Sequence, residues 1–317
     1  MGARGGILVA GGTGLIGANT ARRLAGLGAD VTGTRHASAR PEFAALPKFD
    51  FTNFEDCLEA TRGRDGLVIS AAISHGAAEN KANPTGATLP NLRIMAGLLE
   101  AAARNRVRKV VLLSSSTVYQ PAAHPIREDE LDLNQPVHAA YRSVGNLYRY
   151  LEQLAAGYGE IYGLSAYILR PTSVYGPYDS FDPQKSNVLP ALIRRACAGE
   201  DPFMVWGSPD VVRDFVYVAD VADAIAACLL TDDVPPATPV NLCSGAPVTI
   251  GQAVAAVLAA CGRSPEVVFD ADKPTTIPYR AVDGGRRNRY FHGSPVTPLP
   301  EGLRQTIEWY LADLNKE

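Results

Sequence analysis

Basic charge is not in excess in this 317-residue chain, where 30 lysines and arginines stand against 33 aspartates and glutamates for a net charge of −3. Nucleic acids and anionic membranes attract proteins through surplus cations, so neither is expected as a partner. Cysteine is sparse: Cys57, Cys197, Cys228, Cys243 and Cys261 are odd in number and include no CxxC pair. That excludes a disulfide framework and predicts reduced, buried thiols. The five histidines show no metal-ligand spacing, and no metal centre is expected. Long apolar runs are missing too. No stretch approaches the length that crosses a bilayer, and the opening MGARGGILVAGGTG has too short an apolar segment for a secretory signal. Gly6 stands where a myristoylation signal carries Ser or Thr. A cytoplasmic location is the expectation. Repeats and low-complexity tracts are absent as well.

What the chain does contain is alternation. With 46% hydrophobic residues it can bury a substantial core. Short β-type runs at 6–10, 30–34, 66–72, 109–115 and 165–170 are separated by helical segments such as 15–27 and 91–104. Strands alternating with crossover helices predict an α/β protein with a doubly wound parallel (Rossmann) sheet. After Arg170 the texture turns rich in proline and glycine, then RDFVYVADVADAIAACLL (213–230) and PVNLCSG (239–245) resume the earlier pattern. The expected division is a dinucleotide-binding domain at 1–170, with 213–245 returning to it. A smaller, interleaved substrate lobe spans 171–212 and 246–317.

ILVAGGTGLIGANTARRL places Gly11, Gly14 and Gly17 at three-residue intervals between a strand and an amphipathic helix. Such glycines permit a tight turn, close approach of a pyrophosphate and close helix-sheet packing, while the helix N-terminus offers donors to the anion. Thr13, Leu15 and Ile16 complete this cofactor-binding turn. At the end of the second strand an acid would bind the ribose diol of NAD and repel a 2′-phosphate. Arg35 occupies that place, with His36 and Arg40 near, and NADP(H) is favoured over NAD(H). Asp50, after a third strand, and the adjacent Phe51 are expected beside the adenine, and Ala71 and Ala72 farther along the cofactor.

GGTGLIG (11–17), LLSSSTVY (112–119), RPTSVYGP (170–177), RDFVYVADVADA (213–224) and GLRQTIEWY (302–310) occur in the order shown by the extended short-chain dehydrogenase/reductases, the NAD-dependent epimerase/dehydratase family, which the chain resembles over nearly its whole length. DSFDPQKSNVLPALIRRA (179–196), VWGS (205–208) and DKPTTIPYR (272–280) are most similar to the GDP-L-fucose synthase group, NADPH-dependent enzymes that epimerise and then reduce a 4-keto sugar nucleotide. The resemblance implies Ser115 as a sugar-binding hydroxyl and Tyr141 as the catalytic tyrosine. It brings Thr172 and Val174 to the nicotinamide. Asn187, Val188, Trp206, Arg213 and Arg280 would bind the nucleotide sugar, the arginines because planar donors suit a diphosphate. A homodimer through paired helices, one of them after Tyr141, is implied as well.

The departures bear on mechanism. The family's lysine four residues after tyrosine anchors the nicotinamide ribose and lowers the phenol's pKa; Gly145 stands there. Counting back from YGL (162–164) instead puts Val144 in the tyrosine slot and Tyr148 in the lysine slot, and Tyr148, seven positions beyond Tyr141 on the same face, is a second candidate for the catalytic phenol. Neither register restores a lysine, although Arg142 or Arg149 could lend charge. Where the resembling group uses Cys and His for epimerisation, this chain has Thr117 and Asn187, which do not titrate usefully near neutrality. Three readings stay open. They are a sugar-nucleotide epimerase or reductase with hydride transfer at a sugar carbonyl, a dehydratase or decarboxylase whose cofactor is not consumed, and a catalytically degenerate NADP(H)-binding sensor or scaffold.

Overall fold

The computed structural model describes residues 5–38, 40–73, 83, 85–270, 277–292 and 296–315. Its strands are β1 (Ile7–Ala10), β2 (Val31–Gly33), β3 (Gly66–Ile69), β4 (Lys109–Leu113), β5 (Ser165–Pro171), β6 (Ser173–Tyr175), β7 (Phe203–Trp206), β8 (Val212–Arg213), β9 (Phe215–Tyr217), β10 (Pro239–Leu242), β11 (Val248–Thr249), β12 (Val267–Asp270) and β13 (Tyr279–Arg280). The helices are α1 (Leu15–Gly26), α2 (Phe54–Thr61), α3 (Thr88–Arg104), α4 (Arg142–Tyr162), α5 (Val188–Cys197), α6 (Val218–Leu230), α7 (Ile250–Ala260), α8 (Gly285–Tyr290) and α9 (Leu299–Leu314).

Strands built of consecutive aliphatic residues are stable when both faces are covered, and that is how the main sheet is used. Leu8 and Ala10 turn to the face under α2, α3 and α4, where Leu98, Leu99 and Leu151 pack. Ile7 and Val9 turn to the other face, against Leu24 of α1 and Val221 and Ile225 of α6. Six strands lie in the order β10-β5-β4-β3-β1-β2 with every neighbour parallel. This is the expected doubly wound sheet. The chain leaves β1 toward β2 on one side and β3 on the other, so a crevice opens between them at the strands' carboxyl ends. A second core, around Ile193, Phe203, Val257 and Leu303, joins α5, α7 and α9 in the smaller lobe. Three short sheets accompany it, β11-β8-β13, β12-β7 and β6-β9.

Several expectations change in detail. The strand expected before Asp50 is a single parallel bridge from Arg35 to Lys48. The runs at 66–72 and 239–245 stop as strands at Ile69 and Leu242. Cys57, Cys228 and Cys243 are buried as expected, but Cys197 and Cys261 are partly exposed. They sit at the C-terminal ends of α5 and α7, where the helices run out into solvent. Among the described residues no helix is long and apolar enough to cross a membrane, and no cluster of three or more His, Cys, Asp or Glu could hold a metal.

Candidate functional site

The glycine turn separates two reasons for having no side chain. Gly11 takes φ +86°, and a Cβ there would lie 2.7 Å from the backbone nitrogen of Ala71. A Cβ on Gly17 would lie 2.1 Å from the Gly11 carbonyl oxygen. The fold itself demands these two. Gly14, which precedes α1, has nothing nearer than the Gly11 oxygen at 3.8 Å. Its bareness serves no protein contact, and the first turn of α1 carries no acid. An open glycine at an acid-free helix start is what a pyrophosphate requires, so the residues present fit a dinucleotide. Thr13 is half-buried at the turn, while Leu15 and Ile16 pack their side chains into the core and leave the ligand their backbone alone. Thr34 accepts the Gly11 amide at 3.1 Å, a contact not foreseen from the sequence.

At the end of β2, Arg35 donates Nε to the Leu46 carbonyl at 3.0 Å, and His36 is exposed. Arg40 is a correction: its guanidinium bonds Asp313 of α9 at 2.7 Å and lies over the Trp309 ring, so it secures the C-terminal helix. Asp50 is exposed, and two hydrogen bonds from Thr52, with the charge of His36, hold its carboxyl below the usual range. Phe51 is a second correction, since its ring is buried against Phe49 and the sheet core and has no face free for adenine. Ala71 backs onto Gly11 and Ala72 is exposed. Their loop is pinned by buried Asn91 of α3, which accepts the Ile73 amide at 2.7 Å and donates to its carbonyl at 2.9 Å. An asparagine on the apolar face of a helix was the overlooked signal.

Beyond β4, Ser115 caps the turn at 116–118 by accepting the Thr117 amide at 3.2 Å. The Thr117 hydroxyl is buried without a partner among the described residues. Helix α4 starts hard against this turn. A Cβ at Gly145 would stand 2.5 Å from the Thr117 carbonyl oxygen and 3.0 Å from Val137 Cγ1. Positions 141, 145, 148 and 152 lie on one helical stripe. Tyr148 packs between the sheet core and the cluster of Val118, Tyr119, Ile126, Cys243 and Val282, and burial pushes its phenol up to about 12. Glu152 holds Arg170 through bonds of 2.9 and 2.7 Å, and Arg170 donates to the Tyr119 hydroxyl, which donates to Asn241 at 2.6 Å. Arg149 is spent on the carbonyls of Val118 and Gln135, both at 2.7 Å, and Arg142 is exposed.

Tyr141 lies in a cleft with Ser116, Thr117, Gln120, Tyr279 and Arg280. Parallel pairing of β8 and β13 puts Arg213 opposite Arg280. The Arg280 guanidinium stacks over the Tyr141 ring at 5.0 Å and donates to Ser173 Oγ at 3.1 Å. Burial and the charge of Arg280 lower Arg213 to about 10, with Tyr141 opposing. Asp214 accepts from the amides of Ser244 and Gly245 and from Thr172, and Asp220 from Thr297. Val174 pairs with Val216 and turns its side chain into the core. Asn187, Val188 and Trp206 are exposed on the smaller lobe and do not line this cleft. Positions 272–276 of the DKPTTIPYR motif lie outside the described residues.

A doubly wound sheet with an anion-ready turn at its switch point defines a Rossmann-type dinucleotide-binding protein. Residues 7–243 match the model of the NAD dependent epimerase/dehydratase family, and the chain belongs to that family. It is 31% identical to a probable GDP-L-fucose synthase 1 of Oryza sativa subsp. japonica, over 97% of this chain and 92% of the relative. It is 28% identical to a dTDP-4-dehydro-6-deoxy-D-allose reductase of a Streptomyces species, over 96% of this chain and 95% of that one. The fold is shared with the UDP-glucose 4-epimerase of Thermotoga maritima, solved with UDP-glucose, at TM-score 0.84 and 23% identity over 98% of this chain and 99% of the other.

Proposed function

We propose that this chain is an NADP(H)-dependent reductase, or reductase-epimerase, of nucleotide sugars, acting on a 4-keto carbonyl. One observation carries the reading: Tyr141 lies in a cleft beside two in-register guanidiniums, Arg213 and Arg280, at the same end of the sheet as the glycine turn. A phenol next to paired cations suits a substrate with a reducible carbonyl and a diphosphate. The names of the rice and Streptomyces relatives, a fucose synthase and a 4-dehydro sugar reductase, support this class.

Gly11, Gly14 and Gly17 with the start of α1 would hold the pyrophosphate, Arg35 and His36 the 2′-phosphate, and the backbone at Thr172 and Val174 the nicotinamide end. When bound, the reduced nicotinamide supplies hydride. Ser115 and Thr117 bind the sugar oxygens and Tyr141 donates the proton. Arg213 and Arg280 clamp the diphosphate, while Asn187, Val188 and Trp206 close over the nucleoside. A homodimer through α3 and α4 belongs to the same reading, and Leu89, Ile161 and Tyr162 are exposed there.

The test follows reduced-nicotinamide absorbance with a 4-keto-6-deoxy nucleotide sugar. NADPH should be consumed in preference to NADH, and Tyr141→Phe should cut the rate by about 10²-fold or more, with Tyr148→Phe milder. Isomerised or dehydrated product without NADPH loss would replace this reading with a non-consuming enzyme. Tight cofactor binding without product would indicate a sensor.

A further inference from the structure

Three of the five cysteines are walled off: burial pushes the thiols of Cys57, Cys228 and Cys243 up to about 12. The other two are 64 positions apart in sequence, yet Cys197 Sγ and Cys261 Sγ lie 3.8 Å from each other, both partly exposed. Packing of α5 against α7 in the smaller core brings them together. We infer that Cys197 and Cys261 form a peroxide-reactive dithiol site that closes to a disulfide, tying the C-terminal end of α5 to that of α7.

Geometry and chemistry agree. A disulfide needs sulfurs about 2 Å apart, so closure asks for about 2 Å of movement from two side chains at helix ends, within reach of side-chain rotation. The Cys261 thiol hydrogen-bonds to Cys197 and lowers it to about 7, while Cys261, which gives that bond, is held up. One thiolate is thus shared between two sulfurs, the first proton leaving readily and the second held harder. The negative end of α5 opposes this, and the charge of Arg263 favours it at Cys261. The Cys197 thiolate attacks one oxygen of hydrogen peroxide, breaking the O–O bond and giving a sulfenic acid and, with a proton, water. Cys261 then attacks that sulfur and its own proton leaves with the hydroxyl as a second water. Two thiols are oxidised, one peroxide is reduced and two waters form. Cys197 is the attacking thiol and Cys261 the resolving one.

The inference stands on the thiol geometry and is independent of the proposed reaction. The native full-length protein is treated with hydrogen peroxide at neutral pH, quenched with an alkylating reagent and mapped by peptide mass spectrometry. One intramolecular link between the Cys197 and Cys261 peptides is expected, with the mass lowered by two hydrogens and restored by dithiothreitol. Cys261→Ser should instead accumulate a sulfenic acid at Cys197 that dimedone captures. The oxidised wild type should melt about 5 °C higher than the reduced protein, because the link closes a long loop of the unfolded chain; Cys197→Ser should show no such rise. The inference is overturned if peroxide leaves both thiols alkylatable. It is equally overturned if Cys197 proceeds to sulfinic acid in the wild type, or if the link joins two molecules.

Discussion

At position 145 a single methyl group decides how α4 meets the rest of the protein. Glycine inside a helix costs about 1 kcal/mol relative to alanine, so its presence there asks for a reason. The reason is contact with the backbone: a Cβ would stand 2.5 Å from the Thr117 carbonyl oxygen, closer than van der Waals contact allows. Neither the turn at 116–118 nor α4 can yield without moving Ser115 and Thr117. Overpacking of this kind costs about 1–3 kcal/mol, more than the helix gains. Gly145→Ala should therefore lower stability by up to about 2 kcal/mol net, read as an earlier urea midpoint. Gly145→Lys should lose at least as much. A midpoint unchanged or raised in the alanine variant would show that the helix backs away freely. Sequence alone displayed the glycine as a missing lysine. The steric demand could not be read, because the carbonyl it meets is 28 positions away in the chain and the approach belongs to the tertiary fold.

Helix α4 is held at its middle by charge. Glu152, two turns beyond Gly145, meets Arg170 of β5 in a fork of two hydrogen bonds at 2.9 and 2.7 Å, both residues buried. A buried pair adds little net stability, but removing one partner strands the other's charge away from water. Glu152→Gln should cost about 3–5 kcal/mol. Adding Arg170→Met should recover part of the loss, so the double variant falls well short of the sum of the singles. Additive losses would mean that the residues act separately. This network was not legible in the sequence, where Glu152 reads as one more polar helix position. The strands and the glycine turn were legible, because a run such as ILVA buried on both faces and three glycines at fixed spacing each leave a local signature. Strand ends were legible less sharply: Ala71 and Ala72 carry apolar letters but bond no neighbouring strand. Arg40 and Phe51 misled for the same reason, since α9 and Phe49, which claim them, are set by the fold and not by local pattern.

Across the molecule, acids divide by burial, and the division gives stability a pH slope. Glu301 and Glu200, near the surface beside arginines, are lowered, and so is Glu100, by the Tyr158 hydroxyl first and Arg104 second; such pairs are screened and contribute weakly. Glu128, Asp214 and Asp220 are raised, each mainly by burial. Asp179, in the loop that closes over α1, is pushed up to about 7 by burial, with one oxygen accepting the Ser180 amide at 2.7 Å and the other without a partner among the described residues. An acid whose folded pKa is raised binds more protons folded than unfolded between the two values. Its contribution is complete below the unfolded pKa of about 4 and is lost as pH rises through about 7. Three pKa units correspond to about 4 kcal/mol as an upper bound. Asp179→Asn keeps the acceptor for Ser180 but cannot ionise. Urea unfolding should find the variant about 1–2 kcal/mol more stable than wild type at pH 5 and about 2–4 kcal/mol more stable at pH 8, flattening the decline between. A variant less stable at pH 8 would mean that the ionised carboxylate has a partner, and the burial argument for Asp179 would fall.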